Sequence, residues 1–216
     1  MKLKLLSLVT VLFAFSVPGF AVPSIHEVFY DAAGADAPHV FTELVDLPGA
    51  ALDGYRLVGI DGASGLVYRQ IALTGALVPP DGILVIATAQ ALGEILSVRD
   101  FIADVDWQNG PDAIQIWDAA GLVIDALQYG AAGGLSLGEG HFAPDPDSGL
   151  ALTRDLLGTD TGDNGADFQV TTPTPGTGRT FASSTGVPEP ATTLVLLLGL
   201  TGLAARGPAP SRRRGA

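Results

Sequence analysis

The clearest pattern of apolar and polar positions lies at residues 112–129, DAIQIWDAAGLVIDALQY. Near its start, two isoleucines alternate with Gln115 and Trp117, the period of two that places side chains on opposite faces of a sheet. Residues 118–121, DAAG, supply a turn-initiating aspartate and a glycine that accepts a positive φ, and residues 122–129 return to apolar and β-branched side chains. The pattern predicts a β-hairpin. Because an isolated hairpin is only marginally stable in water, we expect further strands to cover it.

Short apolar segments separated by turn residues recur along the chain. Pro80, Asp81 and Gly82 form one such turn, because proline presets φ, aspartate bonds nearby backbone and glycine accepts a positive φ. Segments spaced in this way predict an all-β sandwich. Besides the hairpin, the predicted strands are residues 25–30, 40–47, 55–60, 66–73, 83–87, 150–153 and 167–171.

Two local features of this pattern are less regular. A single helix is predicted at residues 89–96, with Thr88 as its N-cap and Gly93 in its interior. In residues 40–45, both alternating sets of side chains are partly apolar, so the pattern leaves open which set faces the core. The two sets are Val40, Thr42, Leu44 and Phe41, Glu43, Val45.

The hydrophobic content is high for a soluble protein, at 47% with a mean hydropathy of +0.37, and the two ends account for it. At the N-terminus, Lys2 and Lys4 precede an apolar run at residues 5–17 and a small-residue site that ends at Ala21. This order is typical of a secretory signal peptide at residues 1–21, with cleavage after Ala21, and it fits a buried N-terminal helix less well.

The charge of the exported region limits its partners. All 23 acidic residues lie between residues 22 and 190 with only five arginines, a net charge of 5 − 23 = −18. Such a surface repels phosphates, so we expect no nucleic acid partner; it favours solubility, cations or basic surfaces. The chain has no cysteine, so its stability must come from a hydrophobic core rather than from disulfides.

Several segments in order resemble the lamin-tail domain, an immunoglobulin-like β-sandwich found in nuclear lamins and in many exported bacterial proteins. They are IHEVFYD (25–31), FTELVDLPGAALDGYRLVG (41–59), PDGILVIA (80–87), GPDAIQIWDAAGLVIDALQYG (110–130) and, as a closing segment, DTGDNGADF (160–168) with TPTPG (172–176). Thr42 and Tyr55 depart from the family pattern, and residues 88–107 match none of it. The resemblance implies an immunoglobulin-like sandwich over residues 22–178.

The far C-terminus resembles a PEP-CTERM sorting tail. Such tails are recognised in Gram-negative bacteria by an exosortase, a membrane protease that cuts at the motif. A flexible linker at residues 179–186 leads to this tail at residues 187–214. Its parts are Val187, Pro188, Glu189 and Pro190 as the motif, an apolar run at residues 191–205, and Arg206, Arg212, Arg213 and Arg214 as the basic stop. The resemblance implies transient insertion in the inner membrane, then display at the cell surface or release into the extracellular matrix.

One short motif suggests catalysis. Residues 134–138, GLSLG, match the G-x-S-x-G nucleophile elbow around Ser136, and His141 and Asp145 follow. The elbow requires a helix after the serine, and the glycines and prolines of residues 138–146 exclude one. We therefore predict no enzymatic activity and keep a secreted hydrolase at Ser136 as the alternative. The histidines lack metal-ligand spacing, and Trp107 and Trp117 are expected to pack in the sandwich.

The late loops carry the remaining candidate chemistry. Asp160, Asp163, Asn164 and Asp167 offer the oxygen ligands that calcium prefers, without the spacing of an EF-hand. Aspartate and asparagine beside glycine also form ordinary turns, and we favour that interpretation. No cofactor is predicted, and a calcium-dependent binding module remains an alternative.

Together, these patterns predict a non-catalytic exported protein with a structural or adhesive role. Its expected partners are the export machinery and an exosortase during transit. At the surface, the resemblance of the tail implies an extracellular polysaccharide or a surface protein as the partner.

Overall fold

The computed structural model describes residues 22–130 and 134–178. These residues form a β-sandwich with two short helices. The strands are β1 (Ser24–Phe29), β2 (Phe41–Val45), β3 (Arg56–Asp61), β4 (Val67–Ala72), β5 (Ile83–Ala87), β6 (Phe101–Ile102), β7 (Asp112–Trp117), β8 (Val123–Tyr129), β9 (Ala151–Thr153) and β10 (Gln169–Thr171). The helices are α1 (Gly93–Val98) and α2 (Asn164–Asp167).

The described strands belong to two sheets. The first sheet has the order β10-β9-β1-β2-β5-β6, and the second sheet has the order β4-β3-β7-β8. Neighbouring strands are antiparallel except for the short parallel pair β5 and β6. The predicted all-β sandwich is confirmed at this level of description.

The main core contains apolar side chains from both sheets, and Trp107 lies in it with only 2% of its surface exposed. The first sheet contributes Val28, Leu44, Ile86 and Leu152, among others, and the second sheet contributes Leu57, Ile114, Ile116 and Leu127. All eight are at most 1% exposed. Burial of this kind contributes about 25 cal/mol per Å² of apolar surface, and in a chain without cysteine no disulfide adds to it.

The predicted hairpin is β7 and β8, which lie centrally and at one edge of the second sheet. Its turn forms as the sequence suggests: Oδ1 of Asp118 accepts hydrogen bonds from the backbone N–H groups of Ala120 and Leu122, and Gly121 has φ +82°. The turn at Pro79–Gly82 is likewise present, because Gly82 N–H donates to the Pro79 carbonyl over 2.9 Å.

Strand β2 is buried on both faces, which explains its ambiguous pattern. Leu44 faces the main core together with Thr42, whose hydroxyl accepts a 2.9 Å hydrogen bond from Nε1 of Trp107. Phe41 and Val45 face a second apolar cluster, on the other side of the first sheet, which includes Ile95 of α1. Each face of β2 therefore packs in an apolar cluster; Val40, which precedes the strand, belongs to the second cluster, and the buried Glu43 accepts a hydrogen bond from Gly176.

The predicted helix exists, but it begins four residues later than expected, at Gly93. Thr88 does not cap it, since its hydroxyl donates to the Ala37 carbonyl and accepts from Gln90 N–H. The N-cap position belongs to Leu92, which makes no side-chain capping bond. Neither helix of the described residues is long and apolar enough to cross a membrane.

Strand β5 coincides with its prediction, and most others differ from theirs by one or two residues at an end. Two elements were not predicted. Strand β6 is only two residues long, and α2 occupies residues at which we expected a loop and the start of the last strand. Elements this short carry no hydrophobic period that a sequence pattern could reveal.

Residues 172–178, TPTPGTG, follow β10 and cross the outer face of the first sheet, and we call them the strap. Thr174 bonds to Glu27 of β1, Gly176 bonds to Glu43 of β2, and Gly178 lies against Ile83 of β5. The strap therefore packs against three adjacent strands. The signal peptide with Ala21, the linker at 179–186 and the sorting tail at 187–214 lie outside the described residues.

Candidate functional site

Arg154, the residue after β9, is the centre of the densest group of charges in the described residues. Its side chain is completely buried, and four carboxylates lie within 4.0 Å of its guanidinium. These are Asp125 at 3.1 Å, Asp167 at 3.0 Å, Asp160 at 3.5 Å and Glu139 at 4.0 Å. The ring of Phe168 packs against the same guanidinium, with 4.4 Å between the guanidinium carbon and the ring centroid. We call these five charged residues the Arg154 cluster.

The cluster joins the two sheets at one edge of the sandwich. In β1, only Glu27 and Val28 pair with β9. The N–H and C=O of Ile25 on that side of β1 therefore have no partner in the β1–β9 pairing. Oδ2 of Asp125, from β8 in the second sheet, accepts from Ile25 N–H over 2.5 Å. Nε of Arg154 donates to the Ile25 carbonyl over 3.0 Å. Side chains thus satisfy backbone groups that would otherwise be buried without partners.

The carboxylates of the cluster differ in how readily they ionise. Burial raises the pKa of Asp125, and the neighbouring guanidinium only partly offsets this. Burial also raises the pKa of Glu139 to about 7, with the charges of Asp125 and Asp160 adding to the effect. For Asp167, burial opposes ionisation, but hydrogen bonds from Thr161 and the charge of Arg154 outweigh it and lower the pKa. Arg154 and Asp167 therefore form the charged pair around which the other acids are arranged.

Three of these acids have the geometry of a cation site. One oxygen from each of Asp125, Glu139 and Asp160 lies within 4.8 Å of the other two. Carboxylate oxygens at such spacing suit calcium, which takes six to eight oxygen ligands. The guanidinium of Arg154 lies among the same oxygens, so a cation would share them with a charge that is already present.

The residues proposed from the sequence as calcium ligands do not form one site: Asp160 and Asp167 both belong to the Arg154 cluster, whereas Asp163 lies apart from it and the Asn164 side chain bonds to backbone groups of Ala126, Gln128 and Glu139. Asp160 belongs to the Arg154 cluster beside Asp125 and Glu139. Asp167 accepts from Thr161 and Arg154. Asp163 caps α2 by accepting from Gly165 N–H, and its Oδ2 lies 2.7 Å from Nδ1 of the exposed His141.

The GLSLG segment does not form a nucleophile elbow. Residues 134–138 are neither helix nor strand, and they lie across the outer face of the second sheet, where Gln115 and Gln128 donate to the carbonyls of Leu137 and Leu135. His141 pairs with Asp163, and Asp145 accepts from the Tyr30 hydroxyl over 2.7 Å. His141 and Asp145 are therefore engaged in separate interactions, and Ser136 lies in the segment that covers the second sheet.

A pocket of 420 Å³ opens on the outer side of the first sheet, between α1 and the strap. Its walls include Phe29, Phe41 and Ile95, together with Pro173 and Pro175 of the strap. His39 and Glu94 are the ionisable side chains among its described lining. The volume and the apolar walls fall within the range of small-molecule sites.

Sequence reasoning missed Asp125, Glu139 and Arg154. Asp125 and Glu139 are far from the acidic loops along the chain, and no local spacing connects them. One signal was present: Arg154 is one of only five cationic residues between positions 22 and 190, and it precedes a loop with three aspartates. A lone arginine in acidic surroundings predicts an ion pair.

In comparisons with known proteins, no family model, no curated protein and no solved structure matches this chain.

Proposed function

We propose that the protein is a non-catalytic module with an immunoglobulin-like fold of the lamin-tail kind, exported and then displayed or released at the cell surface. Its role is structural or adhesive, with an extracellular polysaccharide or a surface protein as its partner. The proposal is supported by the largely antiparallel two-sheet sandwich, in which four of the five resembling segments form strands β1, β2, β3, β5, β7 and β8.

The observation that carries the proposal is the C-terminal sequence. The motif VPEP at residues 187–190 is followed by an apolar run of fifteen residues and then by four arginines in the last eleven residues. In the tail that this resembles, the order of motif, apolar run and basic end is what an exosortase recognises. The basic end stays in the cytoplasm, which leaves the acidic region outside.

The positions of Ser136, His141 and Asp145 weigh against the hydrolase alternative. A nucleophile needs a base within hydrogen-bond reach, and among the described residues no hydrogen bond joins Ser136 to His141, whose Nδ1 pairs with Asp163. The calcium-dependent alternative keeps a geometric basis in Asp125, Glu139 and Asp160.

A binding screen tests the proposal. The protein recovered from its native surface is presented to extracellular polysaccharides and surface proteins at physiological salt, and we expect saturable binding to at least one of them. The Ser136→Ala variant is the matched control, because it changes the covering segment by one oxygen and should bind equally. Hydrolytic turnover that Ser136→Ala abolishes would refute the non-catalytic assignment.

A further inference from the structure

Two buried glutamates hold the strap on the first sheet. Oε1 of Glu27 accepts from Thr174 N–H over 2.7 Å, and its Oε2 lies 2.6 Å from the Thr174 hydroxyl, which donates to a carboxylate and can accept from a protonated carboxyl. Oε1 of Glu43 accepts from Gly176 N–H over 2.5 Å. The strap between β10 and residue 178 is thus fixed by carboxyl groups rather than by a β-ladder.

These carboxyl groups are placed where ionisation is unfavourable. Glu27 and Glu43 are directly opposite each other in the β1–β2 register, and both are 0% exposed. Like charges at opposed positions of a sheet repel each other, and a buried charge without a partner is disfavoured strongly. Oε2 of Glu43 makes no hydrogen bond within the described residues.

His26, the bulged residue of β1, is a second ionisable neighbour of Glu43 besides Glu27. It is also 0% exposed, and its Nδ1 lies 3.5 Å from Oε2 of Glu43, an ion-pair distance that is too long for a good hydrogen bond. Gly178, at the end of the strap, covers this imidazole, since a Cβ there would lie 2.9 Å from Cε1 of His26. Detachment of the strap would therefore admit water to the histidine and to both glutamates.

The other charged groups near the strap do not neutralise the two carboxyls. The strap itself, TPTPGTG, is uncharged. On the β5 side, Asp81 adds negative potential at Glu43, and Asp100 lies in the adjoining cavity with Gly176. Arg99 lines that cavity too, and its guanidinium donates to the Thr88 carbonyl. On the β9 and α1 sides, the contacts are the paired hydroxyls of Thr153 and Thr171, and Val98 against Gly176.

We propose that residues 172–178 are a proton-sensitive strap, which lies on the first sheet while Glu27 and Glu43 carry protons and detaches as they ionise. Detachment exposes the two adjacent carboxyl groups to water. Water stabilises them strongly only when they are ionised, so ionisation favours the detached state. It also removes Pro173 and Pro175 from the wall of the 420 Å³ pocket, so strap release and the shape of this pocket are coupled.

The direction of the pH response follows from the two glutamates. Burial raises the pKa of Glu27 from 4.5 to about 7 and also raises that of Glu43, and neither the hydrogen bonds from the strap nor the adjacent His26, which is the larger opposing influence on Glu43, fully offsets this. The strapped state therefore binds more protons than the detached state between about pH 4.5 and pH 7. The strap is held most firmly below that window, loosens as the pH rises through it, and is weakest above it.

Hydrogen exchange of the purified full-length protein tests this inference. Protection of the Thr174 and Gly176 amides, corrected for the intrinsic exchange rate at each pH, should fall on the order of 100-fold between pH 5 and pH 8. Amides of the central strand β7 should keep their protection. In the double variant Glu27→Gln, Glu43→Gln, which preserves side-chain shape without a titrating group, strap protection should not change with pH.

The matched control is Glu94→Gln, an exposed glutamate of α1, which should retain the wild-type response. The single variants Glu27→Gln and Glu43→Gln should each retain part of the pH response. They provide the test if the double variant does not fold. Strap protection that is constant with pH in the wild type would overturn the inference. So would a response that persists in the double variant, or one in which β7 and the strap lose protection together.

Discussion

At the scale of single residues, Arg154 has the largest energetic role that the described contacts support. It is completely buried among four carboxylates and supplies the neutralising charge for Asp125 and Asp167, which are 2% and 6% exposed. A buried ion pair adds little net stability compared with an apolar pair, but removal of one partner leaves a charge buried alone. Loss of Arg154 should therefore cost more stability, through the buried carboxylates left without a counter-charge, than the ion pair itself contributes.

Substitution Arg154→Met should lower the free energy of unfolding by about 3–5 kcal/mol at pH 7. The loss should be smaller near pH 4, because the orphaned carboxyls can then be protonated. Urea unfolding at both pH values measures this. The matched control is Arg69→Met, which breaks a surface pair with the largely exposed Asp104 and should change stability by at most about 1 kcal/mol. Equal stability of Arg154→Met and wild type at pH 7 would contradict the argument.

The same arginine decides our expectation for calcium. Its guanidinium lies among the oxygens of Asp125, Glu139 and Asp160, so it already neutralises part of the charge that a cation would need. Calcium should raise the melting temperature no more than sodium at equal ionic strength. Binding to the folded state would instead add about 2.7 kcal/mol at 100 times the dissociation constant. A calcium-specific rise that Asp160→Asn abolishes would establish the calcium-dependent alternative; Asp160 suits this test better than Asp163, whose carboxylate caps α2.

At the scale of secondary structure elements, the sequence pattern predicted correctly those elements whose turn and strand residues are adjacent in the chain. The hairpin of β7 and β8 could be predicted because its turn residues and its alternation are adjacent in the chain. Strand β2 could be located but its faces could not be assigned, since α1 and the strap, which cover its second face, are remote in sequence. The N-cap of α1 was predicted wrongly because Thr88 bonds to the distant Ala37 carbonyl.

The candidate site shows the same limit more strongly. The Arg154 cluster joins β8, the segment after it, the residue after β9, the following loop and the end of α2. No spacing rule connects positions 125, 139, 154, 160 and 167. The sequence identified Asp160 and Asp167 by composition alone, and only the packing of the two sheets brings Asp125 and Arg154 together.

A test of the hairpin belongs to this scale. Gly121 closes the turn at φ +82°, where alanine is strained, and the nearest atom to an added Cβ is Nη2 of Arg56 at 3.7 Å. Gly121→Ala should therefore destabilise the fold by about 1–2 kcal/mol through backbone strain rather than through a clash. Gly121→Asn is the matched control, because asparagine tolerates this conformation and should recover part of the loss. Thermal unfolding decides, and an alanine variant as stable as wild type would show that the turn relaxes without strain.

At the scale of the whole molecule, charge and covering segments explain how an acidic chain without disulfides forms a sandwich. The net charge of −18 between residues 22 and 190 opposes compaction, yet several carboxylates are used as acceptors for backbone N–H groups, as in Asp125 to Ile25 and Glu27 to Thr174. The second sheet is covered by residues 134–138 and the first by α1 and the strap. The outer face of each sheet is therefore covered by residues that lie between strands or after the last strand.

The final prediction concerns the two ends of the chain. The apolar run at residues 191–205 would reach about 22 Å as a helix, short of the ~30 Å hydrocarbon core, and it contains two glycines and three threonines. Such a segment is a weak permanent anchor, which suits a tail that is held briefly and then cut. Protein recovered from the native cell surface should therefore extend from about Val22 to near Pro188, as measured by intact mass.

Substitution of both motif prolines provides the control for this prediction. Pro188→Ala with Pro190→Ala leaves the apolar run and the arginines unchanged but removes the two prolines, whose fixed φ is the feature of the proposed motif that favours an extended, protease-accessible backbone. This variant should stay in the membrane fraction with the mass of the uncut tail, while its signal peptide is still removed after Ala21. Wild-type surface material that still contains Arg212, Arg213 and Arg214 would show instead that the tail is a permanent anchor, because a protease that cuts at VPEP must separate those arginines from the sandwich.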